Sequence, residues 1–309
     1  MTALRREPRI VVIGACNIDL IAYAPRRPEW GETLHGTRFR TGFGGKGANQ
    51  AVMAAKLGAR VTMISRVGDD AFGRDTLANF RRAGVDARHV GVTRGVSSGV
   101  APILVGPDGR NGIVIVMGAN DRLTAGDVRA ARPAIERADV LVGQIEIPLA
   151  RTLQALRLAR AAGVRTIFNP APAKPDLPAE AYRLSDVFCP NESEAHLLTG
   201  RLVDTPARAE AAAREFLRRG AGAVVLTLGA RGSLVVTPDG AEHVPARRVT
   251  AIDTTGAGDA FVGSLAYLLA RGRALADAAR RAGEIATRSV LKPGTQTSFP
   301  SRDEVGRLL

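Results

Sequence analysis

Lysine is scarce in this 309-residue sequence: only Lys46, Lys56, Lys174 and Lys292 occur. The formal charge of +13 is therefore almost entirely arginine, scattered as pairs such as Arg81-Arg82, Arg218-Arg219 and Arg280-Arg281. Aromatic residues make up only 4%. A nucleic-acid groove needs clustered basic side chains interleaved with aromatic platforms. The composition reads instead as a solvated basic surface, and no nucleic-acid partner is expected. Long hydrophobic runs are missing too: no stretch of about 18 apolar residues could form a membrane span. The opening MTALRREPRIVVIG carries basic residues but no separate signal core, and Ile10 to Ala15 reads as a first strand. The two cysteines, Cys16 and Cys189, lie far apart and match no metal spacing, so a reducing cytoplasm is expected. The P-loop pattern G-x-x-x-x-G-K-[ST] does not occur.

What the sequence does contain is an alternation of short apolar runs and helical patterns. Arg60–Val67, Asp139–Gly143, Val164–Phe168, Asp186–Cys189 and Ala223–Leu228 read as strands. Ala48–Leu57, Ala71–Ala83, Leu149–Ala162 and Ala207–Gly220 read as helices. This rhythm implies an α/β fold, a mostly parallel sheet with helices on both faces. Ligands in such folds sit beyond the carboxyl ends of the strands. Two segments break the rhythm. Residues 21–41 hold Pro25, Pro28, Gly31 and Gly36, and residues 99–118 read as a hairpin turning at GPDGRNG. Together they predict a small β appendage on one domain spanning 1–309. It would act as a lid over a ligand or extend the sheet edge, and a bare outer face would favour pairing with a second subunit.

The most informative stretch is AIDTTGAGDAFVGSLAYLLA, residues 251–270. From Phe261 onward, Val262, Leu265, Leu268 and Leu269 recur at helical spacing, so a helix starts near Gly256-Ala257-Gly258. Its first N–H groups lack intrahelical partners, and glycine lets an anion come close to them. Asp259 lies inside that first turn, where a carboxylate can reach a bound anion and take a proton from an attacking hydroxyl. A second stretch, Gly42-Phe43-Gly44-Gly45-Lys46-Gly47, literally matches the dinucleotide fingerprint G-x-G-x-x-G, with Asp69 and Asp70 near the acidic position. The fingerprint also needs a buried strand before it, and the preceding HGTRFRT is polar.

DTTGAGDAF resembles the C-terminal signature of the ribokinase-like, or phosphofructokinase B-type, sugar kinases. GGKGANQAVMAAKLGA, residues 44–59, resembles their N-terminal signature. The resemblance runs from about residue 9 to residue 300. It implies a three-layer sandwich with a mostly parallel central sheet and a small β lid. It implies phosphoryl transfer from ATP to a sugar hydroxyl, with the 5-hydroxyl of D-ribose the expected acceptor; deoxyribose, fructose and nucleosides are the alternative acceptors, and a sugar-binding protein without catalysis is the alternative class. Asp259 is then the base, and Gly256, Ala257 and Gly258 form the anion hole. Asn17, Asp19, Gly45, Lys46, Asn49 and Glu146 are expected on the sugar. On residue type alone, Asn17-Ile18-Asp19 remains open between a turn and a ligand pair, and Glu146 between a solvated carboxylate and a hydroxyl acceptor.

The resemblance also implies nucleotide contacts at Asn191, Thr227, Gly229, Gly232, Gly258 and Gly283. At position 283 family members often carry Asn or His beside the adenine, and glycine offers no side chain there. Glu194 shares a helix face with Asn191 and suits Mg²⁺ held partly through water; a plain cap at Asn191 is the alternative. A K⁺ site is implied beside the anion hole, from Asp253, Thr255, Ser289, Lys292, Gly294 and Ser298. A homodimer formed through the lid is the expected assembly.

Overall fold

A computed structural model describes residues 6–309; the start of the basic leader, residues 1–5, lies outside them. The strands are β1 (Arg9–Ile13), β2 (Asn17–Tyr23), β3 (Arg38–Gly44), β4 (Arg60–Gly68), β5 (Val85–Thr93), β6 (Gly99–Val105), β7 (Asn111–Ile113), β8 (Val140–Gly143), β9 (Arg165–Phe168), β10 (Val187–Phe188), β11 (Val224–Thr227), β12 (Ser233–Thr237) and β13 (Gly240–Val244). Nine of them form one sheet in the order β13-β12-β11-β10-β9-β8-β1-β4-β5. Neighbours are parallel throughout except the two pairs at one edge, β11–β12 and β12–β13.

Why the sheet is covered on both faces is visible in single strands. In β1, Ile10 and Val12 enter one core, while Val11 and Ile13 enter another. In β8, Val140 and Val142 take the first side and Leu141 the second. Successive residues of a strand point to opposite faces, so an unbroken apolar run demands helices on each side. Helices Lys46–Lys56, Ala257–Ala270 and Leu275–Ser289 contribute to the first core. Leu149–Ala161, Glu192–Thr199 and Pro206–Arg218 contribute to the second. No helix among the described residues is long and apolar enough to cross a membrane.

The remaining four strands form a sheet of their own, ordered β3-β2-β6-β7, rather than lengthening the large one. It begins at Asn17, four residues before the break in rhythm at residue 21. The hairpin of β6 and β7 is regular only through Ile113, with one further bridge between Val100 and Val116. Pro102 explains the gap. It lies opposite Val114 and accepts that residue's N–H, but has none to return. Strand β10 is also shorter than the apolar run predicts: the Asp186 main-chain N–H donates to the Thr166 hydroxyl instead of to a strand carbonyl.

The helices Lys46–Lys56 and Ala257–Ala270 touch through Gly263. A Cβ there would lie 2.6 Å from the Gln50 carbonyl oxygen and 2.8 Å from Met53 Cβ. Gly263→Ala must therefore push the two helices apart or bend one of them, at a cost of about 1–3 kcal/mol. The expected result is a lower urea midpoint with an unchanged m-value; a wild-type midpoint would show that this contact constrains nothing.

Candidate active site

Four strands of the large sheet release their polar residues at the same end. Asn17 follows β1, Gln144 and Glu146 follow β8, Asn169 follows β9, and Asn191 follows β10. Two helices begin over this edge, each preceded by a glycine in the left-handed region: Gly45 (φ 86°) before Lys46–Lys56, and Gly256 (φ 78°) before Ala257–Ala270. Both positions are too crowded for a side chain. A Cβ on Gly45 would meet the Ala15 carbonyl oxygen and the Asn17 nitrogen at 2.7 Å, and one on Gly256 would meet Thr295 at 2.5 Å. The glycines of residues 44–47 thus let two backbones meet. Gly47 likewise lies against Gly14, and Gly44 lies beneath the Asp19 carboxylate. The resemblance places Gly45 on the sugar; the first duty of these glycines is chain-to-chain contact.

At the second helix start, the Ala257 N–H turns back to Thr254 at 3.2 Å and the Ala260 N–H to Gly256 at 2.8 Å. The N–H groups of Gly258 and Asp259 have no main-chain acceptor among the described residues. A Cβ on Gly258 would meet nothing within 4 Å. Open donors beside open space, at the positive end of a fourteen-residue helix, make a place for an anion. Asp259 borders it. Its side chain is buried, with one oxygen accepting from Asn49 Nδ2 and the other from Gln50 Nε2, both at 2.9 Å.

Further carboxylates surround this one. Glu146, 5% exposed, accepts the Lys46 main-chain N–H at 2.7 Å, which gives it the partner that its apolar setting requires. Its pKa is raised by burial, and further by Asp259, against the pull of Lys46. Asp19 is pushed up to about 7 by burial, then by the charges of Glu146 and Asp259. Glu194 is raised by burial as well. Burial opposes the charge on the Lys46 ammonium, but Asp259, Glu146 and Glu194 outweigh it and raise its pKa. The charge of Lys46 is thus favoured jointly by Asp259, Glu146 and Glu194.

Asn191 and Glu194 cap one another: Glu194 Oε2 accepts the Asn191 N–H at 2.8 Å, and Asn191 Oδ1 accepts the Glu194 N–H at 2.8 Å. The cap of the sequence alternative is present, but Glu194 is buried rather than solvated. Thr227 is bridged to Asn191, and the Gly229–Gly232 turn follows it, with Gly232 N–H donating to the Gly229 carbonyl. Gly283 lies within the helix Leu275–Ser289, half-buried near Phe261. The Asp253 carboxylate joins two loops by accepting from the N–H groups of Thr255 (2.9 Å) and Gly294 (2.8 Å). The Ser289 and Ser298 hydroxyls donate to the nearby carbonyls of Ala286 and Thr295, and Lys292 Nζ reaches Glu304. No hydrogen bond joins any two of these side chains. Among the described residues no three His, Cys, Asp or Glu side chains group as a metal-holding set.

Several buried amides escape sequence reasoning. Asn120 holds the Cys16 main chain through both side-chain atoms and donates to Asn17 Oδ1 at 2.8 Å. Gln50, Asn169, Gln144 and Gln296 surround Asp259 at one or two hydrogen bonds' remove. Position could have found two of them, since Gln144 and Asn169 each stand one residue past a strand.

The pfkB family carbohydrate kinase model matches residues 7–302. The chain is 45% identical to ribokinase of Mus musculus over 96% of this chain and 93% of that one. It is 40% identical to deoxyribokinase of Salmonella typhi over 97% and 98%. The structure of Arabidopsis thaliana ribokinase complexed with ribose and ATP superposes with a TM-score of 0.90 at 29% identity, covering 98% of this chain and 99% of that one.

The raised pKa of Asp19 makes a pH signature. A carboxyl raised in the folded state stabilises the fold below its unfolded pKa near 4, and this contribution disappears as pH rises through about 7. Asp19→Asn removes the titration. The gain in thermal midpoint of the variant over the parent, without ligand, is expected to be larger at pH 8 than at pH 5. An equal difference at both pH values would mean that Asp19 does not resist ionisation.

Proposed function

The chain belongs to the pfkB family of carbohydrate kinases, and from that premise we infer that it is a ribokinase, transferring the γ-phosphoryl group of ATP to O5 of D-ribose. One observation carries this reading: a buried carboxylate, Asp259, is held by two amides beside open N–H groups at a helix start. As the ribose O5–H bond breaks, its proton passes to Asp259. O5 bonds to the γ-phosphorus, the bond from that phosphorus to the β,γ-bridging oxygen breaks, and ADP leaves with the electron pair. The N–H groups of Gly258 and Asp259, at the Gly256–Gly258 turn, offset the charge on the transferring group. Asn17, Asp19, Gly45, Lys46, Asn49 and Glu146 orient the sugar. Asn191, Thr227, Gly229 and Gly232 border the nucleotide, with Gly283 beside its base.

The buried Glu194 carboxylate fits Mg²⁺ held through water and phosphate oxygens, a donor set of one acid that suits this ion. When bound, Mg²⁺ would supply charge neutralisation to the nucleotide phosphates. K⁺ would lie against the Asp253–Thr255 and Ser289–Ser298 segments, where the available donors are carbonyl oxygens and the Asp253 carboxylate. The small sheet would close over the sugar. Its exposed Phe39, Ile113, Val114 and Ile115 suit pairing with a second subunit.

Asp259→Ala should lower kcat by roughly 10²- to 10⁴-fold with the thermal midpoint retained, and near-normal turnover would remove Asp259 as the base. The substrate is tested by ADP release with ribose, deoxyribose, fructose and nucleosides, with and without K⁺. A ribose preference of about tenfold or more in kcat/KM is expected, and preference for deoxyribose would reassign the acceptor. The dimer is tested with Val114→Asp, which should halve the mass seen in sedimentation; an unchanged mass would place the subunit contact elsewhere.

A further inference from the structure

Asp259 does not stand on its two amide partners alone. A carboxylate can only accept hydrogen bonds, so Asn49 and Gln50 must both turn their NH₂ groups toward it. Each amide then leaves an oxygen pointing away, and each oxygen is met by another amide. Gln144 Nε2 donates to Gln50 Oε1 at 2.5 Å, and Gln296 Nε2 donates to Asn49 Oδ1 at 2.9 Å. Gln296 Oε1 in turn accepts from Asn79 Nδ2 at 2.8 Å. The second hydrogen on Gln50 Nε2 goes to Asn169 Oδ1 at 3.1 Å, and Asn169 Nδ2 donates to the Cys189 carbonyl at 2.8 Å. The two amides on Asp259 thus each have their polarity matched by the amide behind them.

One atom shows what this arrangement gives up. Gln144 is fully buried, and its Oε1 has no hydrogen-bond partner. Leucine or methionine would fill the same space without an orphaned oxygen, and a half-satisfied buried amide is normally disfavoured. Room for it comes from Gly14, where a Cβ would stand 1.9 Å from that oxygen. The group therefore has a use that outweighs the loss, and its one remaining bond identifies it: Gln144 prevents Gln50 from turning over and presenting its oxygen to Asp259.

We propose that Gln144 and Gln296 are positioning residues for phosphoryl transfer, locking the amides of Gln50 and Asn49 so that both face the Asp259 carboxylate with hydrogen-bond donors. The proposal rests on Asp259 being the base. Neither residue donates to the Asp259 carboxylate; each acts through the amide that does. The second arm also connects the base to the 294–299 segment, because the Gln296 carbonyl and that of Phe299 are both held by Lys56 Nζ at 3.0 and 2.7 Å.

The test is a double-mutant cycle read in kcat and in sugar KM, with ribose and ATP. Gln144→Met is expected to lower kcat about threefold or more with KM for ribose within threefold of the parent, and to have no further effect in a Gln50→Met background. Gln296→Met, at the outer end of the other arm, should likewise lower kcat without raising KM. An equal loss from Gln144→Met in both backgrounds would mark a merely structural role. That result, or unchanged kcat in Gln144→Met and Gln296→Met, overturns the proposal. Should Gln144→Met fail to fold, Gln296→Met decides alone. If the unaltered chain phosphorylates no sugar in the panel, the failure belongs to the assigned reaction and not to the amide lock.

Discussion

The contact that organises the molecule is the meeting of two helix starts across the end of the large sheet. Helix Lys46–Lys56 brings Asn49 and Gln50, helix Ala257–Ala270 brings Asp259, and the three side chains join at 2.9 Å. Gly263 lets the two helices touch, while Gly45 seats one helix start against Ala15–Asn17 and Gly256 seats the other against Thr295 and Phe299. Two helix N-termini at one place create positive potential from main-chain dipoles alone. That potential and the charge of Lys46 act against the mutual repulsion of Glu146, Glu194 and Asp259. The balance is incomplete, so Asp19 and Glu146 resist ionisation, with burial the larger cause and neighbouring acids the smaller.

Much of this is legible in the residues. The α/β alternation is, because a strand buried on both faces must be apolar throughout and a two-sided helix pattern must follow it. Asp259 is, because a long apolar helix after a glycine turn leaves few other places for an acid. The amides are not. Gln50 stands inside GGKGANQ, in a helix whose neighbours Ala48, Ala51 and Val52 are all core residues. Periodicity treats a glutamine there as a lapse, while the structure makes it a partner of the Asp259 carboxylate. Asn49 reads from the sequence as a sugar contact, yet one of its amide hydrogens and one oxygen lone pair are already committed within the protein.

The segment proposed for K⁺ is the least legible for a different reason. Its serines spend their hydroxyls on local carbonyls and its lysine spends its charge on Glu304, so side-chain identity is nearly silent about what the segment does. What matters there is the path of the main chain, which Asp253 fixes by tying the 253–255 loop to Gly294. Main-chain path is set by such tertiary ties, and residue type conveys little of it.

The small sheet changes how sugar recognition must be viewed on the proposed reading. Asn17 and Asp19 lie on β2, in the small sheet, whereas Glu146 and Asp259 belong to the body built on the large sheet. Any shift of one sheet against the other alters the distance between these two sets of groups. A ligand that bridges them must favour one relative position, and a change of position must alter affinity by the same free energy. Asn120 tightens this connection. It stands on the body yet holds the Cys16 main chain and the Asn17 oxygen where β2 begins, and Gly99 of β6 is crowded by both amides. The first residue of β2 is thus anchored, and on the proposed reading a closing small sheet would pivot near Asn17. Asp19, two residues farther along, would move more than Asn17, and closure would be sensed chiefly through that carboxyl.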